Sequence, residues 1–311
     1  MTNKLAIVIP AYKADFLKET LDSLKSQTDH RFRLYIFDDA SPYKIKEIVE
    51  GENIPVDVVY HRFDENLGQF SIVKQWERCI SSVDDEEWIW LFSDDDLMDP
   101  NCVRSFYNAL EKYPNSVAFR FNTDKIADHG ELIRENRFSN EFDAVTFLNQ
   151  KLTYNQESYV VETIFSREIH DKIGGIPDLP LAWASDDLFT VKLALSGKVH
   201  VIEDALVYWR YSDKNISGSV NKKSAIRKLK ASRTFVKWIY KNQHLIQGLK
   251  PDDLAIKWYI RQIKTLQNQI NIFNELAAVI RISGRDIRVW KLYLRLKRDR
   301  SKLIGWLKKY L

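Results

Sequence analysis

Trp88-Ile89-Trp90-Leu91-Phe92-Ser93-Asp94-Asp95-Asp96 is an apolar run that ends directly in three carboxylates. A short continuous apolar segment without polar alternation marks a strand covered on both faces, as in a parallel sheet. In open α/β sheets, ligands bind beyond the carboxyl ends of the strands, which is where these aspartates fall. Taken alone, the cluster also suits a solvated turn or a helix cap.

The surrounding sequence repeats the pattern. Upstream, Leu5–Ile9 is a short apolar strand closed by Pro10, Leu34–Phe37 is a second that ends at Asp38-Asp39, and Val56–Tyr60 is a third. Between them, Phe16–Thr28 sets Leu17, Leu21 and Leu24 at helical spacing, and Leu67–Val83 does so with Ile72, Val73, Trp76 and Ile80. Downstream, Pro100–Lys112 reads as a helix and Val117–Phe121 as a strand. Strands alternating with helices predict an α/β sheet with right-handed crossovers. Two acidic clusters at the ends of separate strands are then expected to converge on one cleft.

The chain of 311 residues is 45% hydrophobic and 29% charged, a globular composition. Its net charge of +4 is an average over two unlike segments. Val220–Leu311 carries 23 basic and 5 acidic residues, leaving 24 basic and 38 acidic in 1–219. Cys79 and Cys102 are too few for a disulfide scaffold and lack zinc spacing, so they read as inert buried thiols. No apolar stretch approaches the roughly 20 residues that span a bilayer, and Met1–Pro10 lacks signal-peptide features, so a cytoplasmic location is expected.

Clustered carboxylates offer hard oxygen ligands to Mg²⁺ or Mn²⁺, cations that keep waters and complete their shell with substrate phosphate oxygens. That chemistry suits a nucleoside-diphosphate ligand. No P-loop or GxGxxG follows a strand, and none of the six histidines lies in a motif.

Several segments occur in a fixed order: LAIVIPAYK from Leu5, TLDSLKSQT from Thr20, IFDDAS from Ile36, ENLG from Glu65, WLFSDDD from Trp90, KIGGIPD from Lys172 and SDD from Ser185. Together, over about residues 4–218, they resemble the family 2 glycosyltransferases of GT-A fold. The resemblance implies a Rossmann-like mixed sheet flanked by helices. It assigns residues 1–220 to a catalytic domain, with a nucleotide-sugar half of about 1–122 and an acceptor half of about 123–220. A basic helical extension, 221–311, follows.

By the same resemblance, Pro10, Ala11 and Tyr12 hold the nucleotide base, and Asp39 accepts the imide N–H of uracil, a proton that N3 of cytosine lacks. Asp95 is the metal ligand, Asp96 an accessory ligand or a sugar contact, and Asp94 a ribose or sugar contact. Asp186 is the general base of an inverting displacement, with Asp187 the fallback if the alignment slips by one. Ser93 stands where the family's first acidic residue is common, Ser185 where it has Glu, and Tyr211 where it often has a metal-reaching His. Arg210, or Lys214 on a lid of about 210–222, is expected to neutralise the diphosphate instead. Trp183, Trp209 and Tyr159 offer flat faces for a sugar ring or belong to the core. Gly174-Gly175 is expected to shape a close backbone approach.

The implied activity moves a sugar from a UDP-sugar to a saccharide or lipid-linked hydroxyl, in surface polysaccharide or glycolipid synthesis. The alternatives are a nucleotidyltransferase, which would need a basic Gly-rich loop after the first strand, and a non-catalytic sugar-nucleotide-binding protein. Helices are expected at about 222–243, 252–282 and 285–311, with a break at Gly284-Arg285. The last carries an apolar stripe through Val289, Leu292, Tyr293, Leu296, Leu303, Ile304, Leu307 and Leu311. Two compatible readings apply to these helices: one face caps the catalytic domain, and the Lys/Arg face rests on an anionic membrane, with Trp290, Tyr293, Trp306 and Tyr310 at the interface. The latter implies peripheral attachment to the inner membrane face. No nucleic-acid motif is present.

Overall fold

A computed structural model describes residues 4–138, 140–212, 221–246, 248, 251–283 and 287–297. The chain divides into two compact units, Met1–Gly218 and Ser219–Leu311.

The first unit runs β1 (Leu5–Ala11), α1 (Leu17–Lys25), β2 (Phe32–Asp38), α2 (Ile45–Gly51), β3 (Val58–Arg62), α3 (Ile72–Ser81), β4 (Trp88–Leu91), β5 (Leu97–Met98) and α4 (Cys102–Lys112). It continues with β6 (Ala118–Ile126), β7 (Leu132–Asn136), β8 (Glu141–Phe142), α5 (Ala144–Thr153), β9 (Thr163–Ser166), α6 (Arg167–Lys172), α7 (Ser185–Ser196) and β10 (Val199–Arg210). One mixed sheet orders the strands β3-β2-β1-β4-β9-β6-β10-β5, with β7 beside β6 and β8 beside β10. The expected mixed α/β architecture is present.

β1, β2, β3 and β4 are mutually parallel, whereas β9 runs antiparallel to both β4 and β6. β10 pairs parallel with β6. The carboxyl ends of β1, β2, β4, β6 and β10 therefore share one sheet edge with the start of β9. Pro10 lies past the last β1–β4 pair, Val8–Leu91, where its missing N–H interrupts no ladder. Trp90 is fully buried, stacks on Phe121 with centroids 4.9 Å apart, and donates its indole N–H to the Val161 carbonyl at 2.7 Å. The aromatic content of the opening segment thus fixes β4 against β6 and the segment that precedes β9.

Two sequence expectations change. The helix expected from Leu67 begins only at Ile72, capped by the Ser71 hydroxyl accepting from the Lys74 N–H at 3.2 Å. Leu67 and Gly68 instead turn their N–H groups to Asp39, as described below.

In the second unit the helices are α8 (Lys222–Lys241), α9 (Pro251–Leu266), α10 (Ile272–Ser283) and α11 (Ile287–Lys297). The single helix expected over 252–282 is therefore two: α9 ends at Leu266, turns follow over 267–270, and Asn271 caps α10 by accepting from the Asn274 N–H at 2.9 Å. Phe235 of α8 meets Trp258 of α9 edge-on at 5.5 Å, within a buried seam. Tyr293, expected at a membrane interface, is buried. Trp306, Tyr310 and the stripe from Leu303 onward lie outside the described residues, as do Gly284-Arg285 and most of the 210–222 lid with Lys214.

Candidate active site

The first part of the site is built by the ends of β1 and β4. After β1 the chain turns, and the Asp94 carboxylate accepts the backbone N–H of Tyr12 at 2.8 Å and of Lys13 at 2.7 Å. The Ser41 hydroxyl donates to the Tyr12 carbonyl at 2.6 Å. The segment Pro10-Ala11-Tyr12 is thus held between the two acidic strand ends, with the Tyr12 ring exposed. Asp94, expected to face ribose or sugar, spends one oxygen on this turn.

Asp95 pairs with the Lys13 ammonium at 2.5 Å and accepts from the Ser93 hydroxyl. Asp96 accepts the backbone N–H of Arg210 at 2.7 Å, and its carbonyl receives the Thr20 hydroxyl at 2.9 Å. All three aspartates are buried. Burial first, then the charge of Asp95, pushes the Asp94 carboxyl up to about 6 and raises Asp96 well above the usual carboxylate range. Such crowding favours an added cation. Among the described residues, no three carboxylate, imidazole or thiolate side chains close on one point. The donor set therefore fits an ion that takes most of its ligands from a substrate diphosphate and water, not one caged by protein.

Arg210 requires a correction. Its side chain is 1% exposed, and its guanidinium donates to the Asp95 carbonyl at 2.9 Å, to the Asp128 carbonyl, and to Glu19 at 2.7 Å. It also lies over the Phe16 ring, 4.1 Å from the centroid. Protein oxygens engage every nitrogen of the guanidinium, so Arg210 clamps the aspartate loop and does not face a diphosphate.

Asp38 and Asp39, adjacent in sequence, do different work. Asp38 is a structural pin, accepting from the Ser41 N–H, the Tyr60 hydroxyl at 2.7 Å and Arg62 at 2.5 Å. Asp39 accepts the N–H groups of Leu67 at 2.8 Å and Gly68 at 2.9 Å, and pairs with Arg78 at 2.6 Å. This explains the ENLG segment. A Cβ at Gly68 would stand 2.7 Å from the Asp39 carboxylate, so only glycine fits. Two carboxylate oxygens accept about four hydrogen bonds, which leaves Asp39 capacity for a ligand N–H beside these three. Arg78 also lies 3.7 Å over the Phe63 ring.

The second part of the site is the start of α7. Its N-cap is Ala184, without a side-chain bond, so neither Ser185 nor Asp186 serves as the cap. Ser185 is buried and accepts from the Leu179 N–H at 3.2 Å. Leu181, Ala182 and Ala184 adopt left-handed backbone with φ of 64°, 53° and 64°, and Ala40, next to Asp39, has φ 50°. Strained non-glycine positions of this kind cost of order 1–3 kcal/mol each and collect at functional sites. Asp186 is half-buried, while Asp187 is buried and pairs with Lys151 of α5 at 2.7 Å. Burial, then the Asp187 charge, pushes the Asp186 carboxyl up to about 7.

Beneath this corner, Arg120 of β6 pairs with Glu162, both fully buried, and Thr123 donates to the same carboxylate. The KIGGIPD loop is tied to α3: Glu77 accepts the Ile176 N–H at 2.7 Å, and Ser71 donates to Asp178 at 2.8 Å. A Cβ at Gly175, φ 72°, would meet the Glu77 carboxylate at 2.9 Å. Trp209 and Tyr159 stack on each other at 4.2 Å, each giving one face to the other, and Trp183 is half-buried. Lys125 lies 4.6 Å over the Tyr211 ring.

Sequence reasoning left out Lys13, Arg78, Lys151 and the Arg120–Glu162 pair. Lys13 ends the first motif and was legible there. The others have no local signal, because their partners lie between 36 and 42 positions away, on other elements.

Parallel strands that end in carboxylates, in a mixed sheet flanked by helices, define a Rossmann-like α/β architecture. The sequence model of glycosyl transferase family 2 matches residues 6–174, and the chain belongs to that family. Among solved structures it is similar to Staphylococcus aureus TarS 1–349 in complex with UDP-GlcNAc, with 15% identity, 96% of this chain and 92% of that one covered, and a TM-score of 0.63. It is also similar to the mannosyltransferase PcManGT from Pyrobaculum calidifontis in complex with GDP-Man and Mn²⁺, at 15% identity, 97% and 82% coverage and a TM-score of 0.53. GalNAc-T7 with UDP, GalNAc and Mn²⁺ follows at 12% identity, 86% and 54% coverage and a TM-score of 0.54. At these identities the likeness is one of fold. No curated protein matches the chain in sequence.

Proposed function

We propose that this family 2 chain is an inverting, metal-dependent glycosyltransferase that moves a sugar from a UDP-sugar to a hydroxyl of a saccharide or lipid-linked acceptor. Synthesis of a surface polysaccharide or glycolipid is the setting that the resemblance favours. The observation that carries the reading is Asp186. It is a half-buried carboxyl at a helix start, raised to about 7 and preceded by strained backbone. A base is most effective when its proton affinity lies near the working pH.

Asp186 would take the proton of the acceptor hydroxyl as that oxygen attacks the anomeric carbon. Pro10, Ala11 and Tyr12 would seat the base, with Asp39 accepting the uracil imide. Asp95, with Asp96 as accessory, would hold Mn²⁺ or Mg²⁺, which supplies Lewis-acid charge for the departing diphosphate. Lys13 sits on Asp95 at 2.5 Å and offers a positive charge at the same spot. The similar structures hold UDP-GlcNAc, or Mn²⁺ beside a nucleotide sugar, which supports this choice of ligands.

Thermal unfolding with UDP, GDP and CDP, each with and without Mn²⁺, tests the donor site. UDP with Mn²⁺ is expected to stabilise the chain most, by about 2.7 kcal/mol at 100 times the dissociation constant. Asp95→Asn should remove the metal-dependent part. Equal melting in all nucleotides would sink the donor-site reading.

We further propose peripheral attachment to an anionic membrane through α8. No described helix is long and apolar enough to cross a bilayer. Lys223, Lys230 and Lys237 recur every seven residues on α8 and are exposed, with Ile226 exposed beside them. Juxtaposed lysines gain about 1 kcal/mol each near an anionic surface. Co-sedimentation with phosphatidylserine vesicles is expected for the full chain and should be lost in K223E/K230E/K237E. Unchanged binding of that variant would rule α8 out as the attachment surface.

A further inference from the structure

We infer that Lys151 is a positioning residue for Asp186, which it holds in place and in its working charge state through the ion pair with the neighbouring Asp187. This rests on the reading of Asp186 as the base and adds a residue that no sequence motif marks.

α5 packs against α7 and delivers Lys151 to the first turn of α7. The Lys151 ammonium lies 2.7 Å from the Asp187 carboxylate, with side-chain exposures of 17% and 4%. In so dry a place two adjacent carboxylates repel strongly, and one lysine between the helices is the nearest compensation.

The groups facing Asp186 come from several elements. Asp187 lies on α7 and Lys151 on α5, Glu162 comes from the segment before β9, and Arg120 comes from β6. Asp187 and Glu162 favour a proton on Asp186, and Lys151 opposes them. Arg120 is not a substitute for Lys151. One of its terminal nitrogens is engaged by Glu162, while its Nε and other terminal nitrogen are buried with no hydrogen-bond partner among the described residues. Its ion-pair partner is Glu162, its attraction to Asp187 and Asp186 ranks behind that, and the direct ion pair to the Asp186–Asp187 corner comes from Lys151.

The arrangement makes opposite demands on two neighbours. Without the Lys151 charge, the Asp pair should keep its proton to higher pH. Without the Asp187 charge, Asp186 should lose its proton at lower pH. A merely structural role for either residue would not produce opposite shifts.

The test is carboxyl ¹³C NMR of the full chain labelled at aspartate, with the Asp186 signal assigned by its loss in D186N. The Asp186 midpoint is expected to rise by about 1 pH unit or more in K151M and to fall by a similar amount in D187N. K151R, which keeps the charge, should stay close to the parent and also controls for folding. The acid limb of UDP-sugar turnover should move in the same directions. An unmoved midpoint in K151M and D187N would overturn the proposal, as would K151R behaving like K151M. The titration needs no sugar. Opposite midpoint shifts in a chain that turns over no UDP-sugar would therefore support Lys151 while overturning the transferase reading.

Discussion

Asp186→Asn is expected to lower sugar transfer to an acceptor by about 10²–10⁴-fold, the usual worth of a positioned base. Asparagine matches the shape of aspartate, and the Ala184 cap and the Ser185–Leu179 bond do not involve the Asp186 carboxyl. The fold should therefore survive, as circular dichroism and the melting temperature would show. UDP binding should persist, because Asp39, Asp94 and Asp95 are untouched. The parent enzyme carries a second signature. Its base must be ionised to work, and its carboxyl is raised to about 7, so activity should climb as pH rises through that value. An ordinary exposed aspartate, with an affinity of about 3.9, would give no such limb. Full transfer activity in Asp186→Asn would move the role to Asp187 or end the assignment.

Glu162→Gln is expected to destabilise the first unit by about 3–5 kcal/mol, the cost of removing one partner from a buried ion pair. Glu162 and Arg120 are both fully buried, and the Tyr159 N–H also reaches the Glu162 carboxylate at 2.9 Å. Glutamine retains the shape but leaves the Arg120 charge uncompensated over the Phe138 ring, which lies 3.8 Å away. Urea unfolding should show a lower midpoint with an unchanged slope. The double variant R120M/E162L should recover much of the loss, since a well-packed apolar pair is often as stable as the ions it replaces. A double variant no better than Glu162→Gln would mean that packing, and not the stranded charge, sets the cost.

These two experiments probe opposite sides of one corner. On the proposed reading Asp186 trades stability for function, since its carboxyl is raised and left-handed residues precede it. The Arg120–Glu162 pair lies under that corner and ties β6 to the entry of β9, so its loss should loosen the ground on which the base stands.

Much of this was legible in the sequence. Trp88–Phe92 had to be a covered strand, because five consecutive apolar side chains leave no face for water. Leu5–Ile9 and Leu34–Phe37 had to join it, and the aspartates that follow two of these strands had to share an edge once the strands were parallel. The motif order sufficed to place the chain in its family. The failures were local. An Asn caps a helix inside 252–282, and Leu67 and Gly68 give their N–H groups to Asp39 instead of opening a helix, since a side-chain acceptor from a distant strand competes for them.

The amino-acid sequence by itself determined which strands are buried, which carboxylates stand at their ends and which family the chain joins, because hydrophobic pattern and motif order are local properties. Only the tertiary structure decided what each charge does. It buried Arg210 under the aspartate loop, split Asp38 from Asp39, and set Lys151 and Arg120 around Asp186. Those outcomes depend on which distant groups share a site of low dielectric, where a partner a few ångströms away outweighs any neighbour in sequence.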